Sequence, residues 1–177
     1  LKLFKIYRIT IYANVNFNLI FSLLMDQNNN YWKARTTCFQ GAFFLLFIVG
    51  IYFVHIPWNI ERLSISELEL GIGILIFGIS NFVSNQLTGR LIVPLIGTTK
   101  SMAIGISIVS FCPFLLISAP NYELFLLSWI PFGAAVGLYV PSAQTQISLI
   151  ENKTSKIITP IYQAFYSLGS LCGAIIA

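Results

Sequence analysis

Charged residues are scarce in this chain: Asp, Glu, Lys and Arg make up only 9% of its 177 residues. Soluble domains carry about 25% charged residues, so this chain has too little polar surface to face water on all sides. Apolar residues make up 56% of the sequence and lie in long blocks, and a block of about 18 or more such residues is a candidate membrane-spanning helix. The composition therefore excludes a soluble domain and predicts an integral membrane protein.

Cysteine is rare as well, with only Cys38, Cys112 and Cys172. They lie far apart in apolar surroundings and form no CxxC pair, so we interpret them as small packing residues rather than metal ligands or disulfides. Basic runs are also missing, because the Lys and Arg residues lie between the apolar blocks. This distribution argues against a nucleic-acid partner.

Motifs of catalysis are missing from the sequence. It contains no HExxH, no GxSxG, no phosphate-binding glycine loop and no paired-carboxylate motif. No acidic residue lies between Glu69 and Glu123, so a proton-coupled mechanism has no obvious carrier in this stretch. We therefore expect that the chain is not an enzyme and that it binds no cofactor and no metal.

Five apolar segments are long enough to cross a bilayer core of about 30 Å as helices. Helices are favoured over strands because lipid cannot satisfy the backbone groups of an open strand edge. The predicted spans cover residues 38–57, 70–92, 101–119, 124–149 and 157–177. A polar loop from Trp58 to Glu69 and a turn from Pro94 to Lys100 separate the first three. The predicted fold class is an all-α membrane protein, with residues 35–177 forming one transmembrane bundle.

The two ends of the chain carry expectations of their own. Residues 1–34 are predicted to form a cytoplasmic N-terminal segment. Residues 1–24 show no clean period, and two interpretations stay open: a native segment, or upstream read-through ahead of a true start at Met25. At the other end the chain stops at Ala177 inside an apolar segment, which we interpret as the end of a fragment.

The distribution of basic residues predicts the orientation. Cytoplasmic loops of membrane proteins carry an excess of Lys and Arg. With the N-terminus in the cytoplasm, nine of the ten basic residues lie inside and only Arg62 lies outside. The inside residues are Lys2, Lys5, Arg8, Lys33, Arg35, Arg90, Lys100, Lys153 and Lys156.

Polar side chains follow helical spacing within three of the predicted spans. Polar groups at membrane depth face other helices or a water-filled cavity, so two interpretations stay open: a polar cavity, or hydrogen bonds that hold helices together. The second span has Asn81, Ser84, Asn85 and Thr88, the fourth has Gln144 and Ser148, and the fifth has Gln163, Tyr166, Ser167 and Ser170. Our candidates for the cavity are Asn81, Asn85, Gln144, Gln163 and Tyr166.

Small residues recur at the spacing that allows close helix contact. Gly133 and Gly137 form one GxxxG pair, and Gly169 and Gly173 form another. Such pairs let two helix backbones approach closely in a membrane. We predict that both pairs are packing features.

The segment from Gly89 to Lys100, GRLIVPLIGTTK, resembles the loop signature of the major facilitator superfamily. That signature has a Gly, a few apolar residues, Asp-Arg, and then Gly with basic residues. Gly89, Arg90, Gly97 and Lys100 match it, whereas Val93-Pro94 stand near the place of the Asp and the spacing is one residue longer. The resemblance implies a tight cytoplasmic gating turn formed by these four residues.

Three further segments are similar to the MosC/YbjJ-like branch of that superfamily. They are Arg35 with the Phe-rich first helix and Ile56–Ile60, the run from Gly133 to Glu151, and the run from Gln163 to Gly173. The resemblance covers residues 35–177. Where the branch tends to carry Asp and Asn in its fourth helix, this chain has Val140 and Gln144, and where the branch has His in its fifth helix it has Gln163.

The resemblance implies a fold and a function. Members have about twelve helices in two six-helix halves, with the substrate path between the halves near the midplane. This chain would supply five helices of the N-terminal half, and the missing C-terminal half would be its partner in a bacterial inner membrane. The implied function is transport of a small solute, with sugar-like compounds as one candidate, by alternating access. The alternative is a non-transporting truncated membrane protein or gene remnant.

Overall fold

The computed structural model describes residues 30–177, and that part of the chain folds into α-helices with no strand. The all-α prediction is therefore confirmed, whereas the predictions for residues 1–24 and Met25 lie outside the described residues. The helices are α1 Asn30–Val54, α2 Ile56–Leu63, α3 Glu67–Leu87, α4 Val93–Ile96, α5 Thr98–Ser118, α6 Tyr122–Thr154 and α7 Thr159–Ile176. A π-helical turn, Thr88–Ile92, joins α3 to α4.

Four helical stretches in the described residues are long and apolar enough to cross a membrane: Tyr31–Val54, Glu67–Ile96, Thr98–Ser118 and Tyr122–Thr154. The fifth long helix, α7, has 18 residues and is therefore about 27 Å long at 1.5 Å per residue. It is not among those four stretches, and the polar residues Gln163, Tyr166, Ser167 and Ser170 lie within it. The sequence thus predicted the number of long helices, and four of the five are long and apolar enough to cross a membrane.

The segment between the first two spans differs from its prediction. Residues Asn30–Ala34, predicted to lie in the N-terminal segment, belong to α1. The predicted polar loop contains the short helix α2, which has Pro57 in its first turn, a position that suits proline because its missing N–H has no helical partner there. Ser64, in the left-handed region at φ 51°, ends α2.

The turn between the second and third spans is also shorter than predicted. Pro94 has no N–H to donate to the carbonyl four residues earlier. Just ahead of it the backbone widens into the π-helical turn, in which the Val93 N–H donates to the Thr88 carbonyl. Helix then continues to Ile96, and the turn predicted over Pro94 to Lys100 is confined to Gly97, at φ 83° and ψ 162°.

The polar stretch after the fourth span is helical for most of its length. Helix α6 runs on to Thr154 and ends at Ser155, which has a left-handed φ of 52°. The Glu151 carboxylate then accepts hydrogen bonds from the backbone N–H groups of Ile158 and Thr159, each at 2.7 Å, and from Thr159 Oγ1 at 2.9 Å. Because these groups lie at the start of α7, Glu151 satisfies donors that a helix N-terminus leaves without a partner.

Helix α6 is the centre of the bundle and packs against both α3 and α5, whereas α7 packs mainly along α1. Both predicted GxxxG pairs lie at these contacts. Gly133 and Gly137 lie against the α3 backbone at Phe77 and Asn81. Gly169 and Gly173 lie in the same way against α1, so the packing prediction is confirmed for both pairs.

Contacts between helix ends show which of the charged segments lie at the same end of the bundle. The Tyr122 hydroxyl donates to the Glu69 carbonyl at 3.0 Å, which joins the start of α6 to the start of α3. At the opposite end Thr98 Oγ1 donates to Gln146 Oε1, and one cavity is lined by both Arg35 and Lys153. The turn at Gly97, the start of α1 and the α6–α7 loop therefore share one end of the bundle, away from Glu69.

Candidate functional site

Two of the four residues in the polar stripe on α3, Asn81 and Ser84, bond to α6, and so does the neighbouring Ser80. Ser80 Oγ donates to the Ile130 carbonyl and Ser84 Oγ to the Ala134 carbonyl, each at 2.7 Å. Asn81 Nδ2 donates to the Gly133 carbonyl at 3.5 Å. Each of these bonds ties a side chain of α3 to the backbone of α6, so this part of the stripe holds the two helices together.

The next polar residues along α3 and α6 are differently placed. Asn85 and Gln144 are exposed, although they lie within helices that are long and apolar enough to cross a membrane. Thr88, by contrast, is fully buried and its Oγ1 has no hydrogen-bond partner. An exposed amide at membrane depth requires a polar partner or water, and the role of Asn85 and Gln144 in lining a cavity stays a prediction.

The candidates on α7 form a separate group. Gln163 is exposed and Tyr166 is half-buried. The hydroxyls of Tyr162 and Tyr166 lie 2.7 Å apart, at hydrogen-bonding distance. α7 packs mainly on α1 and α3 packs on α6, so Gln163 lies on a different side of the bundle from α3, whereas Tyr162 and Tyr166 pack in the core. Within residues 30–177, no hydrogen bond joins Gln163 to the candidates on α3 or α6.

Two buried tyrosines bring further hydroxyl groups into the interior of the bundle, and neither was among the candidates predicted from the sequence. Tyr139 is 1% exposed and its ring reaches across to Gly41 of α1, while Tyr162 is also 1% exposed. Neither the Tyr139 hydroxyl nor Gln40 Nε2 has a hydrogen-bond partner in the described structure. A signal for Tyr162 was present, since it precedes Tyr166 and Ser170 at intervals of four residues, whereas Tyr139 carried no periodic signal.

The four residues of the predicted gating turn lie near each other in sequence but differ in environment. Gly89 and Arg90 lie in the π-helical turn and are exposed, Gly97 forms the turn itself, and Lys100 is exposed in the first turn of α5. In the described part of the chain neither Arg90 nor Lys100 takes part in an ion pair. The gating role of this turn stays a prediction.

The cavity candidates offer neutral hydrogen-bonding groups. Their amides and hydroxyls can bind a polar, uncharged solute by donating and accepting hydrogen bonds. Residues 30–177 contain no group of three or more His, Cys, Asp or Glu side chains able to hold a metal ion. The arrangement of long apolar helices with these polar groups among them defines a multi-pass α-helical membrane protein.

Comparison with protein families gives a match over most of the chain. The family model of the Major Facilitator Superfamily matches residues 38–177. The chain therefore belongs to the major facilitator superfamily, a family of membrane transporters, and the resemblance seen at Gly89–Lys100 is confirmed at this level. No curated protein and no solved structure matches the chain.

Proposed function

We propose that this chain takes part in the transport of a small, uncharged, polar solute by alternating access. One observation carries the proposal: Asn85, Gln144 and Gln163 are exposed amides on three different helices of a membrane-spanning bundle. Amides at this depth must meet water, a solute or another protein surface. A second helical half that packs over these faces would enclose them in a path between the halves, which is the arrangement of transporters built from repeats.

The chemistry of the candidate residues supports a class of solute, and the resembling segments support a branch of the family. Amide and hydroxyl groups favour a hydroxyl-rich solute such as a sugar-like compound, since neither a carboxylate nor a basic group is among the candidates. Membership of the MosC/YbjJ-like branch and a place in a bacterial inner membrane are proposed on the segments that resemble that branch. The exchange of its usual His for Gln163 supports a change of solute or of coupling within it.

Uptake by cells tests this proposal. Cells that produce the chain are incubated with a panel of radiolabelled neutral sugars. We expect them to accumulate at least one of these sugars above the level in cells that carry the empty vector. Gln163→Leu removes a polar contact and is expected to lower that uptake by about tenfold, as the loss of roughly 1.4 kcal/mol implies. The matched control is Leu168→Ala, an exposed apolar residue on the same helix, which should leave uptake unchanged.

A second candidate function is a non-transporting membrane protein. It is favoured by the bonds of Ser80, Asn81 and Ser84, which are committed to the α3–α6 contact and not to an open cavity. No uptake of any sugar by cells whose membranes contain the folded chain would support this candidate over transport.

The orientation gives a separate prediction. We propose that the end carrying Arg35, Gly97 and Lys153 faces the cytoplasm, because the excess of basic residues is retained on that side. Two reporter enzymes are fused at each position, one active only in the cytoplasm and one active only after export. We expect the cytoplasmic reporter to be active in the α6–α7 loop and the exported reporter to be active at Ser64. The reverse pattern at both positions would overturn the topology.

A further inference from the structure

Three basic side chains from separate parts of the chain line one cavity at the basic end of the bundle. Arg35 comes from the start of α1, Lys153 from the last turn of α6, and Lys156 from the loop before α7. The cavity has a volume of about 280 Å³, close to the lower end of the range for ligand pockets, about 300 Å³. Its walls are completed by Tyr31, Trp32, Ile150, Thr154 and Ile158.

The positive charge of this cavity has no counter-charge in the described structure. No Asp or Glu lines it, and within residues 30–177 no carboxylate pairs with its three basic groups. Glu151, the acid nearest to Lys153 in sequence, is engaged at the start of α7, where its Oε1 accepts three hydrogen bonds from Ile158 and Thr159. The cavity therefore offers three cations to an external anion.

Two aromatic rings restrain the basic groups. The Arg35 guanidinium carbon lies 3.8 Å from the centroid of the Trp32 ring, and Lys153 Nζ lies 5.8 Å from that of Tyr31. Cations over aromatic faces at these distances are attracted to them. Trp and Tyr are also enriched where a membrane protein crosses the headgroup layer, and the start of α1 and the end of α6 both lie at the ends of membrane-crossing helices.

We propose that this cavity binds the phosphate of an anionic phospholipid headgroup. A guanidinium binds phosphate through two parallel hydrogen bonds and an ammonium binds it as a point charge. Basic pockets between transmembrane helices bind such headgroups, and the bilayer presents them at this depth. The bound lipid joins α1 to the α6–α7 loop. It occupies a site separate from Asn85, Gln144 and Gln163, so it is independent of the transported solute.

Lipid counting by native mass spectrometry tests the site. Phosphatidylglycerol is titrated into the purified full chain in neutral detergent micelles, with phosphatidylcholine and inorganic phosphate as parallel arms. We expect tight binding of phosphatidylglycerol alone. Lys153→Gln combined with Lys156→Gln is expected to weaken it about 25-fold, at about fivefold for each charge removed near an anionic headgroup, and Arg35→Gln about fivefold or more.

The matched control is Lys100→Gln, which removes a basic residue from the same end of the bundle but outside the cavity, and it should bind phosphatidylglycerol as the unchanged chain does. Because Lys153 and Lys156 are exposed, their variants are expected to fold even where Arg35→Gln does not. Retention of phosphatidylcholine equal to that of phosphatidylglycerol would overturn the proposal. It would also be overturned if the double lysine variant bound phosphatidylglycerol as tightly as the unchanged chain does. Binding of inorganic phosphate as tight as that of the lipid would assign the site to a free anion instead.

Discussion

Replacing Gly137 with leucine is expected to separate α3 from α6 and to leave little correctly folded protein. A Cβ at Gly137 would lie 2.5 Å from the Asn81 carbonyl oxygen and 3.1 Å from the Asn85 nitrogen. Both atoms belong to backbone, which cannot move aside as a flexible side chain can. Overpacking a well-packed contact lowers the free energy of unfolding by about 1–3 kcal/mol. Because this clash is between two helix backbones, we expect a loss of about 3 kcal/mol or more.

The measurement is the apparent unfolding temperature and the monodisperse fraction of the purified chain in detergent. Gly71→Leu and Gly78→Leu are the matched controls, because both glycines lie in α3 and a Cβ there would meet nothing within 4 Å. These controls are expected to behave as the unchanged chain. Equal behaviour of Gly137→Leu and the controls would mean that α3 does not pack on α6 through this glycine.

Replacing Gly97 with alanine is expected to destabilise the link between the second and third membrane spans. Gly97 has φ 83° and ψ 162°, a combination that is essentially restricted to glycine and costs other residues about 1–3 kcal/mol. No neighbouring atom lies within 4 Å of a Cβ at this position, so the expected loss comes from backbone strain alone.

Gly89→Ala is the control for this prediction. Gly89 lies eight residues earlier in the helical part of the same segment, has no positive φ, and a Cβ there would also meet nothing within 4 Å. Alanine at a helical position gains about 0.5–1 kcal/mol over glycine, so the two substitutions are expected to change the free energy of unfolding in opposite directions. A loss of stability in both variants would contradict the assignment of strain to Gly97.

The apolar blocks were enough to predict five long helices, because span length follows from bilayer thickness. The helix bounds were not predictable in the same way. Hydropathy marks where lipid begins, yet α6 continues past it to Thr154 because Glu151 and its neighbours are compatible with helix in water. The turn after the second span was predicted to be longer than it is. The match to a family signature located Gly97, but it did not reveal that the helix continues through Pro94 to Ile96.

The polar residues show a second limit of prediction from the sequence. Helical spacing predicted correctly that Asn81 and Ser84 share a face, but periodicity does not reveal what covers a face. The structure covers that part of α3 with the backbone of α6 and leaves Asn85 exposed. Ser80, one residue outside the predicted stripe, bonds to α6 as well, because a contact between two helices is wider than a single row of side chains.

The proposal that Asn85, Gln144 and Gln163 face a water-filled path is tested most directly by thiol accessibility. Single cysteines replace each of these residues in a background carrying Cys172→Ser, and intact membranes are treated with a water-soluble maleimide. The paired controls are Leu75→Cys on α3, Leu127→Cys on α6 and Ile175→Cys on α7, which replace exposed apolar residues. We predict labelling at all of the amide positions and at none of the controls, because a thiol in lipid does not ionise or meet the reagent. Protection of Asn85, Gln144 and Gln163 alike, in folded protein, would contradict a solute path along these helices.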